Sequence, residues 1–381
     1  MGDECRSPAH HSHEQSTLLR VGLLGKLQPH VNSLGWMVPY WTLPPVSWRF
    51  GENTWDSPTW PNRQCYVGQC NSTHRVVYRY MPRASDTDLA VFGVLNSKAK
   101  LPTVLSREQP WLTAHFNVES NSQAVPGHDY MASGDIMRTF HADVGFHRRA
   151  AIWMPYGTAS ELWRVARNHS FAPHRRRWIG VFVSNCKSAA RVSIIRTLQR
   201  AGLPVQSHGK CMHNVSSDGP AARRREQGGG TYKSSAETLG GLGECYRYRL
   251  MVAVENTVCE DYITEKLFNA ARCGAIPIVR SVDGVPAYSE LLGPFPRIDV
   301  GTMGSEEAVA LVQQVMHNDS MYKEMWRTWF TSSFDAPAHD PPNYHCQWYR
   351  VRREGRAAVR PACRSPPWPL RVGARVDGQV S

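Results

Sequence analysis

The stretch from Tyr246 to Arg280, YRYRLMVAVENTVCEDYITEKLFNAARCGAIPIVR, constrains the fold more than any other, because its periodicity changes twice and polar residues stand at both changes. Leu250 to Val254 is an unbroken apolar run of strand length, as in a parallel strand covered on both faces, and it stops at Glu255 and Asn256. Thr264 is placed to cap a helix whose apolar face is Leu267, Phe268 and Ala271. Gly274 can end that helix, and Ile276 to Val279 reads as strand again. The order strand, loop, helix, strand is a βαβ unit. In open α/β sheets ligands bind beyond the carboxyl ends of the strands, where a helix start offers free N–H groups and a positive dipole to a phosphate. Tyr262, Glu265 and Lys266 crowd that corner. Lys266 can neutralise a phosphate, Tyr262 can stack or hydrogen-bond, and Glu265 or Glu255 can accept from sugar hydroxyls or a purine edge. The bland alternative is a capped, solvated helix start, since charged first turns are commonplace.

The segment VAVENTVCEDYITEKLFNAARCGAIPIV resembles the donor-binding signature of the α1,3/α1,4-fucosyltransferases, written FEN, a short spacer and Y(V/I)TEK. The resemblance implies that Asn256, Tyr262, Glu265 and Lys266, with Glu255 beside them, bind GDP-fucose. Val254 stands where the family has an aromatic, which costs a packing residue and leaves the polar set intact. Further blocks occur in the family's order. FNVES, residues 116–120, resembles the strand that ends in a Glu-Ser pair, and by that match Glu119 is the catalytic base; Asn121 replaces a frequent Pro. Without the resemblance, Glu119 is an exposed strand-end carboxylate. Asp135 to Gly157 resembles the block that runs into PYG, but Ala150, Ala151 and Ile152 replace an Asp-Ser-Asp run, leaving Arg149 as a candidate phosphate or sugar contact. VSNCKSAARVSIIRTLQRAGLPVQSHGKC, residues 183–211, resembles the VSNC block, and by that match Arg191 meets the diphosphate.

The fold implied is α/β, two facing Rossmann-like lobes of GT-B type with the active site in the cleft between them. The reaction implied is inverting transfer of L-fucose to a hydroxyl, O3 of GlcNAc, of a glycan on glycoprotein or glycolipid. No cofactor or divalent metal is required, because Arg191 and Lys266 stabilise the leaving GDP. Three other readings compete. Asp86 and Asp88 form a D-x-D suited to a metal-dependent transferase, yet they precede an apolar strand instead of ending one. The altered residues at Val254, Asn121 and Ala150 to Ile152 suit an inactive glycan- or sugar-nucleotide-binding relative. A nucleic-acid binder is suggested by the formal net charge of +12, but much of the excess arginine sits in two clusters, 223–225 and 350–375, and no nucleic-acid motif accompanies them.

The chain has 381 residues, 41% hydrophobic and 20% charged, enough for two packed domains. Its 10 cysteines form no CxxC pair and no structural zinc spacing, so disulfides are expected. With the sequons at Asn71, Asn168, Asn214 and Asn318 they lean toward the secretory pathway, and the resembled family places the catalytic domain in the Golgi lumen on a membrane anchor. No apolar stretch reaches the roughly 18 to 20 residues of a membrane helix, so membrane association rests on family analogy alone. The expected organisation is a flexible arm over 1–36, an acceptor-side lobe over 37–165, a linker over 166–177, a GDP-fucose lobe over 178–346 with a flexible insertion at 213–244, and a basic tail over 347–381. In the first lobe, Asp88 to Leu95 and Trp111 to Val118 read as buried strands, after an irregular Trp-, Pro- and Cys-rich entry over 37–70 in which Cys65 and Cys70 await distant partners. Cys346 and Cys363 are candidates to close the second lobe.

Overall fold

The computed structural model describes residues 17–24, 65–70, 74–80, 88–92, 112–117, 140–167, 176–183, 186–208, 211–215 and 245–354. They form two α/β units, each built on a mostly parallel sheet. The first sheet contains β1 (Thr17–Leu24), β2 (Cys65–Gln69), β3 (His74–Tyr80), β4 (Leu89–Phe92), β5 (Leu112–Asn117), β6 (Ala142–Gly145) and β7 (Ile152–Trp153), in the order β2-β3-β1-β4-β5-β6-β7. Only β2 runs antiparallel to its neighbour. Helix α1 (Ala159–Arg167) then leads toward the second sheet. There β8 (Arg176–Val181), α2 (Ala189–Arg200), β9 (Val205–Ser207), β10 (Tyr248–Val252), α3 (Glu265–Arg272), β11 (Ile276–Val279), α4 (Tyr288–Leu292) and β12 (Ile298–Asp299) follow in turn. The strand order is β12-β11-β10-β8-β9, all parallel. Helices α5 (Ser305–His317), α6 (Asp319–Phe330) and α7 (Tyr344–Glu354) complete the described chain.

The apolar run that suggested a doubly covered strand is β10, central in its sheet and buried at all five positions. Its Leu250 pairs with Ile179 on one side and Ile276 on the other, and all three are fully buried. Helices α2, α3 and α5 cover the strands with Ile195 and Leu198, Leu267 and Ala271, and Val312 and Val315. Gly274, at φ +64°, turns the chain out of α3 with the left-handed geometry that a side chain resists. Disulfides Cys186–Cys211 and Cys245–Cys273 tie the tip of β8 to the end of β9 and the entry of β10 to the end of α3.

Several expectations change. The first 36 residues were expected to form a structureless arm, yet TLLRVGLL is β1, paired in parallel with β3 and β4. Its apolar run is of strand length and is hidden in the sequence by the polar, His-rich residues before it. The irregular entry expected through Cys70 ends in β2, which forms an antiparallel pair with β3, an HRVVYRY strand absent from the expected elements. The tail expected from residue 347 begins inside α7, where Trp348 and Val351 are buried. That helix packs back on the first sheet. Trp153 N donates to Gln347 Oε1 at 2.6 Å, Arg350 Nη2 donates to Ala151 O at 2.7 Å, and Cys346 bonds Cys70, 276 residues away, instead of Cys363. Two sequon asparagines already have structural partners: Asn214 bridges Ser207 N and Val205 O, and Asn318 Oδ1 caps α6 by accepting from Met321 N at 3.0 Å.

Candidate functional site

Glu255 lies three residues beyond the end of β10, at the carboxyl edge of the sheet, and its side chain is only 3% exposed. A carboxylate this deep requires nearly full hydrogen bonding. Thr264 supplies most of it. The Thr264 backbone N–H donates to Glu255 Oε1 at 2.7 Å, and its hydroxyl reaches both oxygens at 2.9 and 2.8 Å. Thr264 is the N-cap residue of α3 as expected, but its hydroxyl faces the glutamate and makes no capping bond to the helix. Lys266 Nζ closes the cluster, 3.1 Å from Glu255 Oε2, 2.6 Å from Thr264 Oγ1 and 3.3 Å from Glu265 Oε1. Both oxygens of Glu255 are thus engaged, so Glu255 holds Lys266 and the helix start in place.

Arg191, in the first turn of α2, reaches the same edge from β8's side and is 1% exposed. Its Nε donates to Val254 O at 2.7 Å and its Nη2 donates to Asn256 Oδ1. Val254 is buried where the family signature has an aromatic, and its carbonyl orients the arginine. Burial pushes the Glu255 carboxyl up, with Lys266 pulling the other way. For Lys266, burial acts downward, but Glu255 and then Glu265 outweigh it, so the ammonium is held above the usual lysine range. Burial lowers the Arg191 guanidinium against the pull of Glu255, which still leaves an arginine charged. Glu265 is pushed up by burial, yet Lys266 and local hydrogen bonds carry it below the usual range. The corner therefore holds two fixed cations, a helix N-terminus and an amide, a set suited to a phosphorylated ligand.

Tyr262 is 1% exposed, and its ring meets Phe146 edge-on at 4.9 Å and Tyr156 at 6.2 Å. Both partners belong to the chain around β6 and β7. Arg149 pairs there with Glu260, and Arg148 with the buried Asp261, contacts that no period or motif marks. Ala150, Ala151 and Ile152, which replace the acidic run, are all buried. Asp88 lies 3.8 Å from Arg352 Nη1, while Asp86 lies outside the described residues. Glu119 and Asn121 also lie outside them, two and four residues beyond the end of β5. Among the described residues no group of three or more His, Cys, Asp or Glu is arranged to hold a metal, and no helix is long and apolar enough to cross a membrane.

Two parallel-sheet α/β units define a glycosyltransferase fold of GT-B type. The solved α1,3-fucosyltransferase structure superposes with a TM-score of 0.55 at 14% identity, covering 90% of this chain and 93% of that one. A solved α1,3-fucosyltransferase structure with GDP-fucose gives 0.51 at 13% identity, covering 92% and 95%. Residues 172–353 match the model of glycosyltransferase family 10 (fucosyltransferase), C-terminal part. An α-(1,4)-fucosyltransferase of Arabidopsis thaliana is 24% identical over 49% of this chain and 45% of its own length. An α-(1,3)-fucosyltransferase B of Drosophila melanogaster is 26% identical over 57% and 47%. The chain spans about half the length of these two relatives.

Proposed function

We propose that the protein transfers L-fucose from GDP-β-L-fucose, with inversion, to O3 of an N-acetylglucosamine in a glycan carried by glycoprotein or glycolipid. The observation that supports this reading is the convergence of Arg191, Asn256 and Lys266 around the Glu255–Thr264 anchor at the carboxyl edge of β8 and β10. Arg191 and Lys266 bind the diphosphate, Asn256, Tyr262 and Glu265 complete the donor site, and Glu255 acts through Lys266. Glu119 is the base. It takes the proton of the acceptor hydroxyl while that oxygen bonds to C1 of fucose and the C1–O bond to GDP breaks. Inversion requires the base on the face opposite the leaving group, as in inverting glycosidases with the acceptor replacing water. GDP departs with additional negative charge, and preorganised cations stabilise it without a metal. A relative's complex with GDP-fucose supports the choice of donor. Disulfides among the described residues fit the oxidising lumen of the Golgi.

The test pairs calorimetry with GDP and GDP-fucose against turnover on an acceptor glycan array with chelator present. Binding with transfer to O3 of GlcNAc is the expected result. Binding without any transfer would instead favour an inactive sugar-nucleotide-binding relative. Transfer that stops in chelator would remove the metal-free mechanism.

A further inference from the structure

Resting on that reading, we propose that Arg148 and Asp261 are a positioning pair through which the chain after β6, in the first sheet, sets the donor-binding turn of the second. Asp261 has a left-handed backbone, φ +58°, a conformation that aspartate tolerates better than most residues. Around it the turn is tight: Tyr262 N donates to Cys259 O at 3.2 Å and Ile263 N to Asp261 O at 2.9 Å. Its side chain is 1% exposed, and a carboxylate at that depth is costly unless its charge is met.

What meets it comes from the other sheet. Arg148 N donates to Asp261 Oδ2 at 2.8 Å, and Arg148 Nε lies 3.3 Å from Oδ1. The same guanidinium donates to Glu290 Oε2 at 2.8 Å, so one arginine holds both the turn after β10 and the start of α4 after β11. The turn that carries the arginine is itself tied down. Asp143 in β6 accepts from Ala151 N at 2.8 Å and lies 3.2 Å from His147 Nε2, closing the 146–151 turn on itself. Phe146, from that turn, packs on Tyr262. Residues 146 and 148 therefore grip 262 and 261, immediately before Thr264 and Lys266. A mere staple would add stability and leave the donor's KM alone, whereas a positioning pair moves donor affinity.

The experiment uses the full chain, with calorimetric titration of GDP, initial rates over GDP-fucose concentration, and melting temperature for each variant. Arg148→Ala and Asp261→Asn are each expected to weaken GDP binding and raise the KM for GDP-fucose by about tenfold, with kcat within about threefold. Arg148→Lys, which keeps the side-chain charge that alanine removes, is expected to recover part of that loss. Arg327→Ala, which breaks an exposed pair with Glu324 on α6, is the control expected to match wild type. Donor KM unchanged in both test variants, a lowered melting temperature with intact GDP affinity, or no recovery with lysine overturns the proposal. Wild type that fails to bind GDP overturns the fucosyltransferase reading, and this inference falls with it.

Discussion

Two sites near Tyr262 set a cation against a carboxylate, and they differ in how much water they see. Around Glu255 the carboxylate side chain is 3% exposed and Lys266 17%, and Thr264 contributes both a backbone and a hydroxyl donor. At Arg149 and Glu260 both side chains are 41% exposed, and one ion pair joins them. The chemistry is the same and the energetics are not. A buried ion pair is stable only when complete, because removing one partner strands an unsolvated charge, whereas water replaces a missing partner at the surface. The buried cluster can therefore hold a fixed geometry for a ligand, and the exposed pair can only bias one.

The widest gap between them should appear on truncating the buried carboxylate. Glu255→Ala leaves Lys266 and the Thr264 donors facing an apolar gap, and should cost about 3–5 kcal/mol of stability. Urea midpoints measure this, and a loss below about 1 kcal/mol would place Glu255 with the exposed pairs.

An uncharged contact between the two sheets' regions has an intermediate expected effect. Gly157, beyond β7, lies so close to α3 that a Cβ there would meet the Phe268 ring at 2.4 Å. Phe268 is a buried member of the core. Gly157→Ala should therefore cost about 1–3 kcal/mol by overpacking. A thermal midpoint equal to wild type would mean that α3 is free to move away from residue 157, and would weaken the contrast between rigid and adjustable contacts.

These effects also separate what the sequence discloses from what it does not. The β10–α3–β11 unit was legible because apolar runs, a Thr cap and a Gly stop are local patterns, and its bounds needed little correction. That Glu255, Asn256, Thr264 and Lys266 share one corner follows from the same local unit. The role of Thr264 was not legible, since cap propensity says nothing of which partner its hydroxyl will choose. Arg148 and Asp261 are 113 residues apart in the chain, and no period marks either. The return of α7 to the first sheet is equally non-local: Cys346 is one of 10 cysteines, and spacing does not select Cys70 as its partner. The strand β1 is obscured for a simpler reason, that its short apolar run stands beside a polar, His-rich leader.

The charge of Lys266 gives a smaller, pH-dependent test of the buried cluster. Its folded-state pKa is raised, so its contribution to stability is complete below the unfolded lysine value of about 10.4 and is lost as pH rises through the folded value. Lys266→Met removes that dependence. The stability difference between wild type and Lys266→Met should hold steady from pH 8 to about 10 and narrow above it, by no more than about 1.4 kcal/mol per pH unit for one proton. A difference that widens with pH would reverse the assignment of Lys266 as a cation stabilised by Glu255 and Glu265.

The smallest effect belongs to the exposed pair, and it is the one that tests whether exposure alone decides the comparison. Arg149→Ala frees Glu260 to water, so the expected loss is only about 0.2–1 kcal/mol, and it should shrink further in high salt. The Arg148 contact next to it does not share this prediction, because its aspartate is buried. Chemical denaturation of Arg149→Ala at low and high ionic strength checks both points. A loss above about 2 kcal/mol, or one indifferent to salt, would show that Arg149 acts with Arg148 as one unit, and that the contrast drawn from exposure does not extend across the turn.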